Sequence, residues 1–287
     1  MKILLLGAAG QLGRELKRSL ATQGELITCE RRSLDLNNAD ALADTLKSLA
    51  PDLIVNAAAY TAVDKAESDS ATAFMINATV PGVLADYAKA HGARLIHYST
   101  DYVFNGSGHA AWNEHSTTAP LSVYGQSKLA GEQAIQASGC RHLILRTSWV
   151  FGLHGSNFMK TMLRLARDKD ELGIIDDQYG APTWTRHLAD ATAMLATRPE
   201  AHGLYHLANA GETTWAGYAE AIFAEATRLG LLDKAPHVRR ITSADFPLPA
   251  KRPNNSRLDC AALARDHGIT LPDWRIALSD CLADAIH

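Results

Sequence analysis

Apolar residues along this chain form short continuous runs that alternate with longer, helically spaced sets. Continuous runs are typical of strands buried on both faces, and the spaced sets are typical of amphipathic helices. In the first half, strands are predicted at 3–6, 25–30, 52–59, 94–98 and 142–147. Helices are predicted after the first strand and at 39–49, 70–91 and 124–137. This alternation predicts an α/β fold with a doubly wound parallel sheet.

The regular alternation loosens beyond Gly152. Helices are predicted at 157–167, 184–196 and 214–229, strands at 171–175 and 203–207, and the C-terminal tail is predicted to be helical. Residues 105–120, 176–183 and 251–256 are predicted loops. We therefore expect one domain at 1–150 and a smaller lobe at 151–287 that is interleaved with the sheet.

Composition restricts the functional classes. The chain has 287 residues, 47% of them hydrophobic and 21% charged, with a formal net charge of −3, which argues against a nucleic-acid surface. No apolar run approaches the ~20 residues of a membrane span. Its four cysteines, Cys29, Cys140, Cys260 and Cys281, are scattered, which favours reduced thiols and a cytoplasmic location.

A glycine-rich segment joins the first strand to the first helix. Gly7, Gly10 and Gly13 lack side chains, so the backbone there can approach a pyrophosphate at the N-terminus of the helix. A purely structural turn is the alternative. The strand–turn–helix context favours a dinucleotide site, and thus a Rossmann-type domain at 1–150 with the lobe at 151–287 mostly binding substrate.

The end of the second strand carries opposing signals for cofactor choice. Glu30 could accept hydrogen bonds from the adenosine ribose, which favours NAD. Arg31 and Arg32 follow, and either could hold the 2′-phosphate of NADP. We therefore expect NADPH or NADH to serve.

Candidate catalytic residues lie at the end of the fourth predicted strand and at the start of the predicted helix at 124–137. Tyr124 and Lys128 are four residues apart, so they share a helix face, and Thr100 at the strand end could meet it. A nearby ammonium lowers the pKa of a tyrosine, so Lys128 is expected to lower that of Tyr124. A solvated Tyr–Lys pair is the alternative for this motif alone.

Together these motifs resemble the extended branch of the short-chain dehydrogenase/reductase superfamily. Several segments are similar to one of its families, the dTDP-4-dehydrorhamnose reductases. They are 55–67, 99–104, 146–150, 157–158, 177–183 and 252–256.

The resemblance implies a reaction and a set of site residues. The C4 ketone of dTDP-4-dehydro-L-rhamnose would be reduced to dTDP-L-rhamnose, a precursor of surface polysaccharide such as lipopolysaccharide, with Tyr124 as proton donor. The expected catalytic set is Thr100, Tyr124 and Lys128. Cofactor binding is expected of Gly7, Gly10, Gln11, Leu12, Gly13, Glu30, Asp35, Leu36, Ala57, Ala59, Tyr60, Thr61, Tyr124 and Lys128. Substrate binding is expected of Thr100, Asp101 and Trp149, and also of Arg252, which could pair with the diphosphate or be a surface charge.

Some alternatives stay open at this stage. The superfamily often carries an asparagine where Asn77 lies, although Asn77 could equally bond its own helix. A sugar-nucleotide epimerase or dehydratase and a non-catalytic nucleotide-binding subunit are the rival functions.

Magnesium is a further open point. Some family members are described with Mg²⁺ bridging two subunits through acidic residues, and Glu15 matches one of these. Arg186 and His187 stand where partner acids are expected, just before Asp190, so a metal site is doubtful. We therefore expect no metal and a monomer or weak homodimer.

Overall fold

The structure is a computed structural model that describes residues 1–30 and 32–286. Its strands are β1 (Lys2–Leu6), β2 (Glu25–Cys29), β3 (Leu53–Asn56), β4 (Arg94–Thr100), β5 (Arg141–Thr147), β6 (Val150–Phe151), β7 (Glu171–Ile175), β8 (Tyr179–Gly180), β9 (Thr183–Trp184), β10 (Gly203–His206), β11 (Thr213–Thr214) and β12 (His237–Ile241). Its helices are α1 (Gln11–Leu20), α2 (Ala39–Leu49), α3 (Val63–Ala66), α4 (Ser70–Phe74), α5 (Val80–His91), α6 (Val123–Ser138), α7 (Phe158–Leu165), α8 (Thr185–Ala196), α9 (Trp215–Arg228), α10 (Ala261–His267) and α11 (Trp274–Asp284).

A six-stranded parallel sheet organises the chain, with strand order β10-β5-β4-β3-β1-β2. Successive side chains of a strand point to opposite faces. In β1, Ile3 and Leu5 belong to the core on one face, and Leu4 and Leu6 to the core on the other. This two-sided burial explains the continuous apolar runs, and the predicted doubly wound parallel sheet is confirmed.

The smaller lobe has its own apolar core. Strands β7 and β12 pair in parallel, and helices α7, α9 and α11 supply residues such as Met159, Phe223 and Leu278. Strand β12 is absent from the sequence prediction, because its residues are half-buried or exposed. Strand β10 and helix α8 belong to the main sheet layer, so the two halves of the chain interleave. The division at residue 150 remains our proposal.

The predicted helix at 70–91 is interrupted. Residues Met75–Thr79 form a π-helical turn between α4 and α5. Such turns occur frequently at functional sites, and Asn77 lies in this one.

None of the helices within residues 1–30 and 32–286 is long and apolar enough to cross a membrane.

Candidate active site

The carboxyl ends of the parallel strands meet at one edge of the sheet. Thr100 at the end of β4 pairs in register with Thr147 at the end of β5. Gly7 follows β1 and Ala57 follows β3 at the same edge. In open α/β sheets, ligands bind in the crevice outside these strand ends. The predicted cofactor and catalytic residues are therefore brought to one side of the molecule.

A cavity of about 580 Å³ opens at this edge. Eight of the predicted cofactor residues line it, namely Gly7, Gly10, Glu30, Asp35, Leu36, Ala57, Ala59 and Tyr60. Gly7 has φ +75°, and a Cβ there would lie 2.6 Å from the Ala58 nitrogen. Glycine is thus needed at this turn for both conformation and space.

Six predicted cofactor residues are not among those that line the cavity: Tyr124 and Lys128, which are described below, and Gln11, Leu12, Gly13 and Thr61. A Cβ on Gly13 would lie 2.1 Å from the Gly7 carbonyl oxygen, so Gly13 lets α1 pack closely on the turn. Leu12 packs against the sheet core, and Gln11 Oε1 accepts a 2.8 Å hydrogen bond from Asn157 Nδ2. Thr61 is exposed. Their cofactor roles remain predictions.

One end of the cavity lies beside the end of β2. Glu30 is half-buried, and its Oε1 lies 3.7 Å from Lys17 Nζ. Arg32 is exposed, and Arg31 lies outside the described residues. Lys65 and Asp69 also line the cavity, although neither is among the predicted site residues.

Tyr124 is half-buried at the start of α6, beside the end of β4. Burial raises the pKa of its phenol to about 12, a hydrogen bond with the Thr100 side chain opposes this shift, and the charge of Asp101 adds to it. Thr100 and Tyr124 are therefore brought together as predicted. The pKa of Tyr124 is therefore raised overall and not lowered as predicted, because desolvation dominates.

Lys128 lies one turn further along α6 and is only 2% exposed. Its Nζ donates to the Tyr98 carbonyl oxygen at 2.6 Å and lies 3.2 Å from His97 Nε2. Burial lowers the pKa of Lys128 to about 8, and the charge of Glu132 opposes that shift. The alternative of a solvated Tyr–Lys pair is therefore excluded.

Asn77 joins the loop after β3 to helix α6. It is fully buried, and its Oδ1 accepts from the Tyr60 amide at 2.9 Å. Its Nδ2 donates to the Tyr60 carbonyl at 3.1 Å and to Ser127 Oγ at 3.0 Å. Asn77 does not bond its own helix, and it holds the cavity wall against α6.

Asp101 and Trp149 extend the site beyond the strand ends. Burial raises the pKa of Asp101 to about 6, against hydrogen bonds from Ser256 and Thr100. Trp149 has φ +46°, a conformation rare for a residue with a side chain. Its indole stacks on Trp215 at 3.6 Å between ring centroids. Strained residues of this kind cluster at functional sites.

Arg252 lines a second cavity, of about 280 Å³, together with Leu121, Phe246 and Leu248. Its guanidinium is bonded to both carboxylate oxygens of Asp64, at 3.0 and 2.7 Å. Arg252 is thus half-buried and paired, and not a free surface charge.

Comparisons with known proteins agree with this geometry. Residues 1–286 match the family model described as the RmlD substrate binding domain. A dTDP-4-dehydrorhamnose reductase of Shigella flexneri is 48% identical, with 98% of this chain and 97% of the relative covered. The chain belongs to the dTDP-4-dehydrorhamnose reductase family.

Solved structures of the dTDP-4-dehydrorhamnose reductase family share this fold. The enzyme of Clostridium acetobutylicum superposes with a TM-score of 0.93 at 36% identity, covering 100% of both chains. The enzyme of Bacillus anthracis, solved in complex with NADP, superposes with a TM-score of 0.93 at 32% identity, covering 99% of this chain and 100% of that one. The predicted membership is confirmed.

The acidic position associated with magnesium in some family members is bonded to arginines here. Glu15 is 4% exposed, and its Oε2 lies 3.1 Å from Arg18 Nε and 3.5 Å from Arg186 Nε. Arg18 also pairs with Asp190 at 2.5 Å, and Arg186 pairs with Asp284. Within residues 1–30 and 32–286, no cluster of three potential ligands suits a metal ion. Two arginine cations beside these carboxylates do not fit Mg²⁺.

Sequence reasoning missed the buried residues around Lys128. His97 stands within an otherwise apolar stretch of β4, and Asn56 ends β3 beside it. Both are 1% exposed. A histidine inside a strand buried on both faces is the available sequence signal, because such a polar residue needs partners.

Proposed function

We propose that this protein reduces the C4 ketone of dTDP-4-dehydro-L-rhamnose to give dTDP-L-rhamnose. The observation that carries the proposal is the convergence of Thr100, Tyr124 and Lys128 beside a glycine-lined cavity. A relative 48% identical over nearly the whole length bears the name of this reductase, which supports the substrate.

The cavity fits a nicotinamide dinucleotide. Helix α1 begins beside the cavity. Its N-cap residue, Gly10, has no side chain that could cap the first backbone amides of the helix, so these amides are available to a pyrophosphate. Glu30 would accept from a ribose hydroxyl, and exposed Arg32 could meet a 2′-phosphate. When bound, NADPH or NADH supplies the hydride.

The residues of the chain perform the proton chemistry. Tyr124, protonated at neutral pH, donates its proton to the oxygen that forms at C4. Thr100 holds that oxygen in line with the phenol. Lys128 would hold the nicotinamide ribose and, when charged, would favour release of the Tyr124 proton.

The substrate side is formed by Asp101, Trp149 and Arg252. Asp101 and Trp149 would contact the sugar nucleotide beside the strand ends. Arg252 would exchange one of its bonds to Asp64 for the diphosphate. Charge-assisted bonds of arginine to phosphate suit this role.

A steady-state assay tests this function against its rivals. Purified protein, given dTDP-4-dehydro-L-rhamnose by an upstream epimerase, is expected to oxidise added NADPH or NADH in proportion to product. Protein that contains stoichiometric NAD and converts sugar nucleotides without added cofactor would instead be an epimerase or dehydratase. Nucleotide binding without turnover would favour a non-catalytic subunit.

A further inference from the structure

A line of buried polar side chains runs from the end of β3 to Lys128. Asn56 Nδ2 lies 3.1 Å from His97 Nδ1, and His97 Nε2 lies 3.2 Å from Lys128 Nζ. The three residues are at most 2% exposed. Buried polar groups are costly unless they are hydrogen-bonded, so each contact in this line constrains the protons of the next residue.

Neighbouring bonds determine which nitrogen of His97 carries the proton. The Ala58 amide donates to Asn56 Oδ1 at 3.1 Å, so Asn56 turns its NH₂ group towards His97. That group can only donate, and His97 Nδ1 must therefore accept. Burial, together with the charge of Lys128, keeps the pKa of His97 well below its ordinary value. The neutral ring thus carries its single proton on Nε2, facing Lys128.

An N–H group directed at Nζ disfavours an ammonium, because two donors then face each other, whereas a neutral amine can accept from it. The Tyr98 carbonyl holds the amine from another side. We propose that His97, its ring fixed by Asn56, is a positioning residue that sets the charge state of Lys128. This inference rests on the proposed role of Lys128 in ketone reduction.

The other charged groups around Lys128 do not replace His97 as the group that sets its charge state. The helix of Lys128 also carries the titratable groups Tyr124 and Glu132. The neighbouring strands β4 and β5 and the turn Asp101–Val103 carry Arg94, His97, Tyr98, Arg141, His142, Arg146, Asp101 and Tyr102. Glu132, the acid that favours the ammonium, is bonded to Arg146 at 2.8 and 2.6 Å. His97 contacts Nζ directly.

The expected consequence is a pH limit on ketone reduction. The pKa of Lys128 is lowered to about 8, so its ammonium is lost as pH rises through that value. Charged Lys128 makes Tyr124 the stronger acid. Therefore kcat/KM is expected to fall above about pH 8 in the wild-type protein.

Substitution His97→Gln tests the role of the ring. A glutamine can present a carbonyl oxygen near the position of Nε2, which favours the ammonium. The alkaline limit of kcat/KM should then move up by about one pH unit, the effect of one hydrogen bond to a charged group. His206→Gln is the matched control, because His206 is another fully buried histidine, on β10, and its substitution should leave the limit in place. An unmoved limit in His97→Gln with intact NADPH binding would overturn the proposal.

Two measurements need no turnover, so they separate this inference from the proposed function. In ¹⁵N-histidine-labelled wild-type protein, long-range ¹H–¹⁵N couplings should show His97 protonated at Nε2 throughout pH 6–9; a proton on Nδ1 would overturn the proposal even if His97→Gln fails to fold. The pKa of Lys128, measured by titration of its Nζ resonance, should be higher in His97→Gln than in the wild type, as the alkaline limit of kcat/KM should be. If the protein lacks reductase activity but these spectra are as expected, only the proposed function fails.

Discussion

Replacing Tyr124 by phenylalanine removes the proposed proton donor and little else. Desolvation raises the pKa of the Tyr124 phenol to about 12, so it carries its proton at neutral pH. Proton transfer by such a group typically increases the reaction rate roughly 10²–10⁴-fold. The desolvation of the phenol also limits its replacement by water as the proton donor. We therefore expect kcat to fall by about 10³–10⁴-fold, which is about 4–5.4 kcal/mol of barrier. The hydrogen bond with Thr100 is also lost, which should cost only about 1 kcal/mol of unfolding free energy.

The assay combines stopped-flow oxidation of NADPH with a separate titration of cofactor binding. Binding of NADPH to Tyr124→Phe should stay close to wild type. Tyr218→Phe is the matched control, because Tyr218 is fully buried in the smaller lobe and its hydroxyl has no partner within residues 1–30 and 32–286. That control should keep its turnover and its stability. Near-wild-type kcat in Tyr124→Phe would refute the acid role.

Three further predictions concern the cofactor, the core and the metal. Both NADPH and NADH should serve as hydride donors, and a preference beyond about a thousandfold in kcat/KM, roughly 4 kcal/mol, would contradict dual use. Arg32→Ala should weaken the binding of NADPH but not that of NADH. Glu132→Gln should lower the unfolding free energy in urea by about 3–5 kcal/mol, because it leaves the buried Arg146 unpaired; a loss below about 1 kcal/mol, the level of a surface pair, would contradict this. Activity should survive EDTA, and added Mg²⁺ should not change the sedimenting mass, because arginines occupy the surroundings of Glu15; dimers that dissociate on chelation as activity falls would contradict it.

The sheet could be predicted because its sequence signals are local. The apolar run of β1 and the glycines after it define a strand, a turn and a helix within the first 20 residues. The bounds of α2 and β7 agree with the predicted ranges 39–49 and 171–175. Strand β12 could not be predicted, because its pairing with β7 joins segments more than 60 residues apart and leaves little apolar pattern.

The positions of the candidate site residues in the fold were predictable, and their electrostatics less so. Spacing alone placed Tyr124 and Lys128 on one helix face. The direction of the Tyr124 pKa was predicted wrongly, because it depends on burial, which only the packing of α6 against β4 determines. The contacts of His97 and Asn77 likewise depend on residues distant in sequence, such as Asn56 and Tyr60.

Transfer of a deuterium label tests the central claim most directly. NADPH carrying two deuterium atoms at the reactive nicotinamide carbon, so that either face transfers the label, would be supplied with dTDP-4-dehydro-L-rhamnose, and the product analysed by NMR and mass spectrometry. Hydride transfer to C4 predicts one deuterium at C4 of the rhamnose ring for each NADPH oxidised. A product without the label, or a sugar nucleotide altered without oxidation of NADPH, would contradict the account.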